Sequence, residues 1–305
     1  MKAAVVLNAS AGSLTASEVP ATVSRVREVF ERAGVEAEVL AVGHEGLPAA
    51  ALRAVDSDAD VVVFGGGDGT LGTGAAALVG SHKPLGILPF GSLNHFARDL
   101  GIPLDLEQAV ATIERGYVTD VDVGEVNGRL FLNNSSIGLY PSAVAHREEL
   151  RHRHGGGKWP AMFSACVDVV RRFPLLDVIL QVDDRAVALR TPFVFVGNNR
   201  YEMSLFSLGK RTSLQGGELS IYLTQDAGRM GLVRLFVRAL LGRLEQDRDF
   251  HSFTLPGVEI RTRRRSLRVS LDGEVVRMSS PIRYLVRPRA LRVLVPIPDA
   301  APGAP

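Results

Sequence analysis

The sequence predicts an α/β unit followed by a β-rich unit, and three observations carry that reading. Over the first 115 residues, short apolar runs alternate with segments of helical spacing, the pattern of βαβ units and a mostly parallel sheet. After about residue 116 the pattern changes to runs of alternating or β-branched character with turns between them, as in an antiparallel sandwich or barrel. Charge changes sign with the pattern. Residues 1–125 carry 8 Lys and Arg against 17 Asp and Glu, a net of −9, whereas residues 126–285 carry 24 against 15, a net of +9.

The elements follow in order. Ala3–Leu7 reads as a first strand, too short for the apolar core of a signal peptide. Glu18–Ala33 has Val19, Val23, Val26 and Phe30 at helical spacing and stops at Gly34, which suits a helix C-cap. Val35–Val42 reads as a strand and Leu47–Val55 as a short helix. Asp60–Phe64 is an apolar run ending in glycines, the signature of a strand buried on both faces. Leu71–Val79 reads as a helix, Leu85–Pro89 as a strand, and Leu93–Leu100 and Leu106–Arg115 as helices. Beyond them Tyr117–Val126, Arg129–Ser136, Leu176–Val182, Ala186–Val196, Glu218–Leu223, Ser252–Arg261, Ser266–Leu271 and Arg283–Pro288 read as strands. Asn127-Gly128 and Asp183-Asp184 are turn candidates. Trp159–Arg172 and Gly231–Leu244 read as helices, and Leu291–Val295 as a last strand before a Pro/Ala tail. The expected units are 1–122 and 123–288, with 289–305 a candidate to return to the first.

Composition narrows the function. Hydrophobic residues are 46% and charged residues 22% of 305, which is globular and excludes a disordered scaffold. A single cysteine, Cys166, excludes a disulfide framework and a cysteine-based zinc site. No apolar run reaches the roughly 18 residues that span a bilayer, so the expectation is a cytoplasmic chain.

The strongest motif is Val61–Gly74, VVVFGGGDGTLGTG. A buried strand runs into Gly65-Gly66-Gly67-Asp68-Gly69-Thr70 and then a helix. Glycines let the backbone approach a ligand without Cβ clashes, and free N–H groups at a helix start attract phosphate. The Gly-Lys-Ser/Thr of a P-loop is missing. Gly67, Gly69 and Gly72 satisfy G-x-G-x-x-G, but the run follows the third strand, and no acid ends the next one, which reads Leu-Pro-Phe-Gly. Asp68 inside such a loop makes sense if a cation arrives with the phosphate.

These residues resemble a known family. GGGDGT resembles the nucleotide-binding signature of diacylglycerol and sphingosine kinases, shared with NAD kinases. Pro89-Phe90-Gly91-Ser92-Leu93-Asn94-His95-Phe96-Ala97-Arg98 is similar to the lipid kinases' second motif. Asn8-Ala9-Ser10-Ala11-Gly12 resembles their opening loop, and Leu271-Asp272-Gly273-Glu274 resembles the Asp-Gly-Glu element of their second domain. The resemblance implies a Rossmann-like nucleotide-binding domain, an antiparallel β-sandwich domain, and an active site in the cleft between them. It implies ATP and Mg²⁺ as cofactors. Asn8, Ala9, Ser10, Gly12, Gly66, Gly67, Asp68, Gly69, Thr70, Gly91, Ser92 and Asn94 would bind the nucleotide. Asp68 would orient the ATP-bound Mg²⁺ or a water, Glu274 would act as general base on a lipid hydroxyl, and Asp122 would support Asp68 or simply end a strand. Ser92 stands where threonine is usual, Ala9 replaces proline, and His95 takes a place often held by Asp. Gly216 occupies the position of an aspartate that helps bind a structural Mg²⁺ in the family, so that second metal site is not expected.

The implied reaction is transfer of the ATP γ-phosphate to the hydroxyl of diacylglycerol or a related lipid. The alternatives are a silent lipid or nucleotide binder of the same fold and, less favoured, a soluble-substrate kinase of the NAD kinase type. A lipid substrate implies an anionic membrane surface as peripheral partner, at the inner face of the membrane. Candidate contacts are the basic segment 228–244 (Arg229, Arg234, Arg238, Arg243), the loop Arg151–Lys158 and the cluster Arg261, Arg263, Arg264, Arg265. Met162, Phe163, Phe173, Phe193, Phe206 and Phe236 suit an acyl pocket or a core equally. No nucleic-acid partner is expected, since aromatics are only 6% and do not interleave with the arginines. A homodimer stays open.

Overall fold

A computed structural model describes residues 1–11, 17–138, 175–182, 185–201, 211–224 and 250–297. Several sequence expectations lie outside the described residues: Gly12, the turn at 183–184, the helices at 159–172 and 231–244, and the basic loop 151–158. So do Cys166, the arginines between 229 and 243, and Met162, Phe163, Phe173, Phe206 and Phe236. The chain divides into two compact units, Met1–Val123 with Pro288–Pro305, and Gly124–Arg287.

The first unit is built on parallel strands in the order β2 (Glu36–Val42), β1 (Lys2–Asn8), β3 (Val61–Gly66) and β4 (Leu85–Pro89). All of β3 and β4 is buried, because helices cover both faces of such a sheet and leave no room for polar alternation. Helix α1 (Val19–Arg32) turns Val26, Val29 and Phe30 inward and ends before Gly34, whose φ of +70° suits glycine. Helices α2 (Leu47–Asp56) and α3 (Asp68–Leu78) follow β2 and β3. Helix α3 lies close on β3: a Cβ at Gly74 would stand 2.5 Å from the Phe64 ring. After β4 come α4 (His95–Asp99) and α5 (Leu106–Arg115), where Asp105 caps α5 by accepting from the Gln108 N–H at 3.1 Å.

The second unit holds antiparallel pairings in two sheets. One has β13 (Gly257–Thr262) between β16 (Ile282–Val295) and β8 (Leu176–Val182), with β9 (Arg185–Thr191) at its edge. β5 (Tyr117–Val126) pairs with β16 and with β6 (Arg129–Phe131). The other runs β12 (Phe250–Leu255), β11 (Leu219–Thr224), β10 (Phe193–Asn198), β7 (Asn134–Gly138), β14 (Ser266–Leu271) and β15 (Glu274–Ser279). Val178, Leu180, Val258, Ile260, Ile282 and Tyr284 of the first sheet share one core with Ile137, Val194, Val196, Ile221, Leu223 and Val269 of the second.

Three runs that read as single strands are each two. Arg129–Ser136 breaks at Leu132 and Asn133, Ala186–Val196 at Pro192, and Ser252–Arg261 at Pro256, and at each break the chain changes sheet. Proline has no N–H to give a ladder, so two of the breaks fall where pairing must stop. Conversely, Arg283–Pro288 and Leu291–Val295 form one strand, β16, with Arg289 at φ +50° in its middle. β16 pairs through Val293 with Leu85 of β4. β15 was not expected. It forms because Asp272 (φ +46°) and Gly273 (φ +92°) make a two-residue turn that folds it back on β14.

Candidate functional site

The glycine loop is the connection from β3 to α3, and its shape rests on the absence of side chains. A Cβ at Gly66 would stand 2.4 Å from the Thr70 hydroxyl, and one at Gly91 would stand 2.4 Å from the Gly67 Cα. The two motifs therefore meet backbone to backbone at Gly67 and Gly91. The Phe90 N–H donates to the Gly66 carbonyl at 3.1 Å, continuing the β3–β4 register into the loops. Gly67, Asp68 and Gly69 are only half-buried. Their backbone can thus be reached, as anion binding at the start of α3 requires.

Side chains lock this arrangement. The Asp68 carboxylate accepts from the main-chain N–H groups of His95 (3.2 Å) and Phe96 (3.0 Å), so it ties the first loop to the start of α4. Asn94 holds φ +50°, a conformation asparagine tolerates. Its Oδ1 accepts from the Gly91 N–H at 2.9 Å, and its Nδ2 donates to the Gly91 carbonyl at 2.7 Å. The buried Asn8 donates through Nδ2 to the Thr70 hydroxyl at 2.9 Å and accepts at Oδ1 from the Ser10 N–H at 2.9 Å. The Ala9 N–H is taken by the Val42 carbonyl at 2.8 Å. The Gly69 carbonyl accepts from the Thr73 hydroxyl at 3.1 Å. Ser92 is exposed beside them.

The structure therefore joins Asn8, Ser10, Gly66, Gly67, Asp68, Thr70, Gly91 and Asn94 through bonds and contacts within one unit. Asp122 is 1% exposed, and its Oδ1 accepts from the Arg289 N–H at 2.8 Å, so it holds the kink of β16. Glu274 belongs to the other unit, where it opens β15 as an exposed residue opposite Leu271. One contributor has no role assigned from sequence: Phe90 packs its ring where a Cβ at Gly65 would stand 3.2 Å away. Thr70, expected among the nucleotide-binding residues, fills the space above Gly66. A large side chain beside a glycine run is the signal for such a residue, because it occupies the room the glycines leave. At Gly216, the N–H donates to Asn199 Oδ1 at 2.9 Å.

The loop suits a nucleotide's phosphates: reachable amides, no Cβ in the way, and a helix start behind them. Among the described residues no group of three or more His, Cys, Asp or Glu could hold a metal ion. The Asp68 carboxylate is held at the mouth of this loop by the His95 and Phe96 amides.

A parallel α/β unit with this loop, followed by a unit of two packed sheets, defines a two-domain protein of the α/β-plus-β-sandwich class. Residues 2–126 match the diacylglycerol kinase catalytic domain, and residues 137–295 match the YegS C-terminal NAD kinase beta sandwich-like domain. The chain belongs to the diacylglycerol kinase and YegS-like lipid kinase family. It is 32% identical over 254 residues to a "Probable lipid kinase YegS-like" of Pseudomonas aeruginosa, covering 77% of this chain and 76% of that one. It is 30% identical over 194 residues to a diacylglycerol kinase of Staphylococcus saprophyticus. That match covers 62% of this chain and 58% of the relative, so the chain spans little more than half of that protein's length. A solved diacylglycerol kinase from Bacillus anthracis shares the fold, with a TM-score of 0.69 over 96% of both chains at 19% identity.

Proposed function

We propose that the chain is an ATP- and Mg²⁺-dependent lipid kinase that phosphorylates the hydroxyl of diacylglycerol or a related lipid. The observation that carries this reading is the Gly67–Gly91 backbone contact, with Asp68 bonded across it to the start of α4. It couples the phosphate loop to the Pro89–Arg98 segment, which resembles the lipid kinases' second motif. Bound ATP with Mg²⁺ would supply the γ-phosphoryl group and neutralise charge during its transfer. The chain's own residues do the rest. Gly67, Gly69 and Thr70 offer amides, Asp68 orients, and Glu274 takes the proton from the lipid hydroxyl as general base.

The same reading brings an anionic lipid surface. Arg261, Arg263, Arg264 and Arg265 are all exposed, and basic residues near anionic lipid contribute roughly 1 kcal/mol each. Among the described residues no helix is long and apolar enough to cross a membrane. Binding to anionic vesicles should weaken with salt and on Arg264→Glu with Arg265→Glu; binding indifferent to both would remove the basic cluster from the reading.

The test of the reaction is transfer of labelled γ-phosphate from ATP with Mg²⁺ to a panel of lipids in mixed micelles, beside Glu274→Gln. A labelled lipid that disappears in the variant supports the kinase and names the acceptor. ATP binding with no labelled lipid on any member of the panel would favour a silent binder of the same fold.

A further inference from the structure

The bend between β6 and β7, residues Leu132, Asn133 and Asn134, is gripped from two sides. On one side stands Asp272. Its Oδ2 accepts from the Leu132 N–H at 2.7 Å, and its Oδ1 accepts from the N–H groups of Asn133 at 2.8 Å and Asn134 at 3.0 Å. Its own N–H donates to the Asn134 carbonyl at 2.9 Å. On the other side stands Arg211. Its Nη1 donates to the Leu132 carbonyl at 2.6 Å and its Nη2 to Asn133 Oδ1 at 3.1 Å. The Leu132 carbonyl also accepts from Asn198 Nδ2 at 2.9 Å, and the Asn133 carbonyl from the Tyr201 hydroxyl at 2.8 Å. Arg211 is 6% exposed, and its guanidinium carbon lies 5.8 Å from the Tyr201 ring centroid.

This exceeds what a hairpin needs. Asp-Gly makes a two-residue turn by its backbone preference alone, without three amides on the carboxylate. Burying a guanidinium is costly unless its donors are met, and here Nη1 and Nη2 reach two residues of the bend, with Nη1 also donating to the Asn198 carbonyl at 3.4 Å. Glu274 follows the turn two residues after Asp272. Among the described residues its side chain makes no hydrogen bond or ion pair. Its position is therefore set by its main chain, and that main chain is set by the turn.

We infer that Arg211 and Asp272 are positioning residues for Glu274: they clamp the Leu132–Asn134 bend from opposite sides and so fix the turn that presents the carboxylate. The inference rests on the role proposed for Glu274 and adds two residues to which that reading gives no part.

Two conservative variants test it. Asp272→Asn keeps a residue that favours the turn, but replaces one oxygen by an NH₂ that faces amide donors. Arg211→Lys keeps the charge and loses the fork. Each should lower kcat about tenfold to a hundredfold, the scale of a misplacement of about 1 Å, while KM for ATP stays unchanged. Arg211→Met should lose more than Arg211→Lys. Folded variants with unchanged kcat would overturn the clamp, as would losses in which KM for ATP rises in step with the fall in kcat. If the unaltered protein turns over no lipid, that counts against the kinase reading and not the clamp. Amide hydrogen exchange then decides: faster exchange at Leu132, Asn133 and Asn134 and at Glu274 in both variants supports the clamp, and unchanged exchange overturns it.

Discussion

Asp68 illustrates why a carboxylate sits within a run of glycines. Its two oxygens take amides from His95 and Phe96, so one side chain assembles both loops before any ligand arrives. Asp68→Asn has only one acceptor oxygen for two donors. It should cut turnover at least about a hundredfold, the range for loss of a preorganised electrostatic group, and ATP binding followed by calorimetry should weaken too. Gly91→Ala is a separate test of the backbone contact. Its Cβ would stand 2.4 Å from the Gly67 Cα and 2.6 Å from Asn94 Oδ1. Overpacking of this kind costs about 1–3 kcal/mol, measurable as a lower midpoint in urea together with weaker nucleotide binding. These residues were legible in sequence as motifs, because glycine runs and their spacing are local. Their bonds were not, since Asp68 and Phe96 are brought together only by β3 and β4 lying side by side.

At the level of elements, the first unit is legible because α1 and α5 carry an apolar stripe at helical spacing and β3 and β4 are short unbroken apolar runs. Asp105→Ala should remove the Gln108 bond at the start of α5 and destabilise the first unit by about 1 kcal/mol, seen as a lower melting temperature. The strands of the second unit were read less well. Arg129–Ser136 passes from Leu-Phe-Leu into Asn133, Asn134, Ser135 and Ser136, residue types that favour turns. The bend at Leu132 and Asn133 is fixed by Asp272, far along the chain, which takes the amides there. Pro192 and Pro256 mark the other two breaks locally, because a proline cannot donate to a ladder. β15 depends on the Asp272-Gly273 turn, a two-residue signal that folds Glu274–Ser279 back on β14.

For the whole molecule, pH and nucleotide offer two measurements. Tyr284 is fully buried in the second unit, and burial pushes its phenol above the ordinary 10.0, although the Ser135 hydroxyl at 2.9 Å works against the shift. A raised folded value means the folded state holds its proton longer than the unfolded one. The stabilisation is complete below pH 10 and is lost as pH climbs above it. Urea midpoints should therefore fall steeply above pH 10. In Tyr284→Phe that slope should flatten, with about 1–3 kcal/mol lost at neutral pH from the unpaired Ser135 hydroxyl. ATP at a hundred times its Kd should stabilise the first unit by about 2.7 kcal/mol, and calorimetry should show the transition of that unit moving upward. By itself the sequence determined the order of elements in the first unit, the change to β structure near residue 116, and the four motifs. Each of these is a property of neighbouring residues. Only the tertiary structure decided that the strand after Ile282 runs on to pair with Leu85, that Asp122 holds its kink, and that Arg211 grips the bend behind Glu274. Those contacts join residues from 79 to more than 200 positions apart, and no local pattern records a pairing that exists only once the chain has closed on itself.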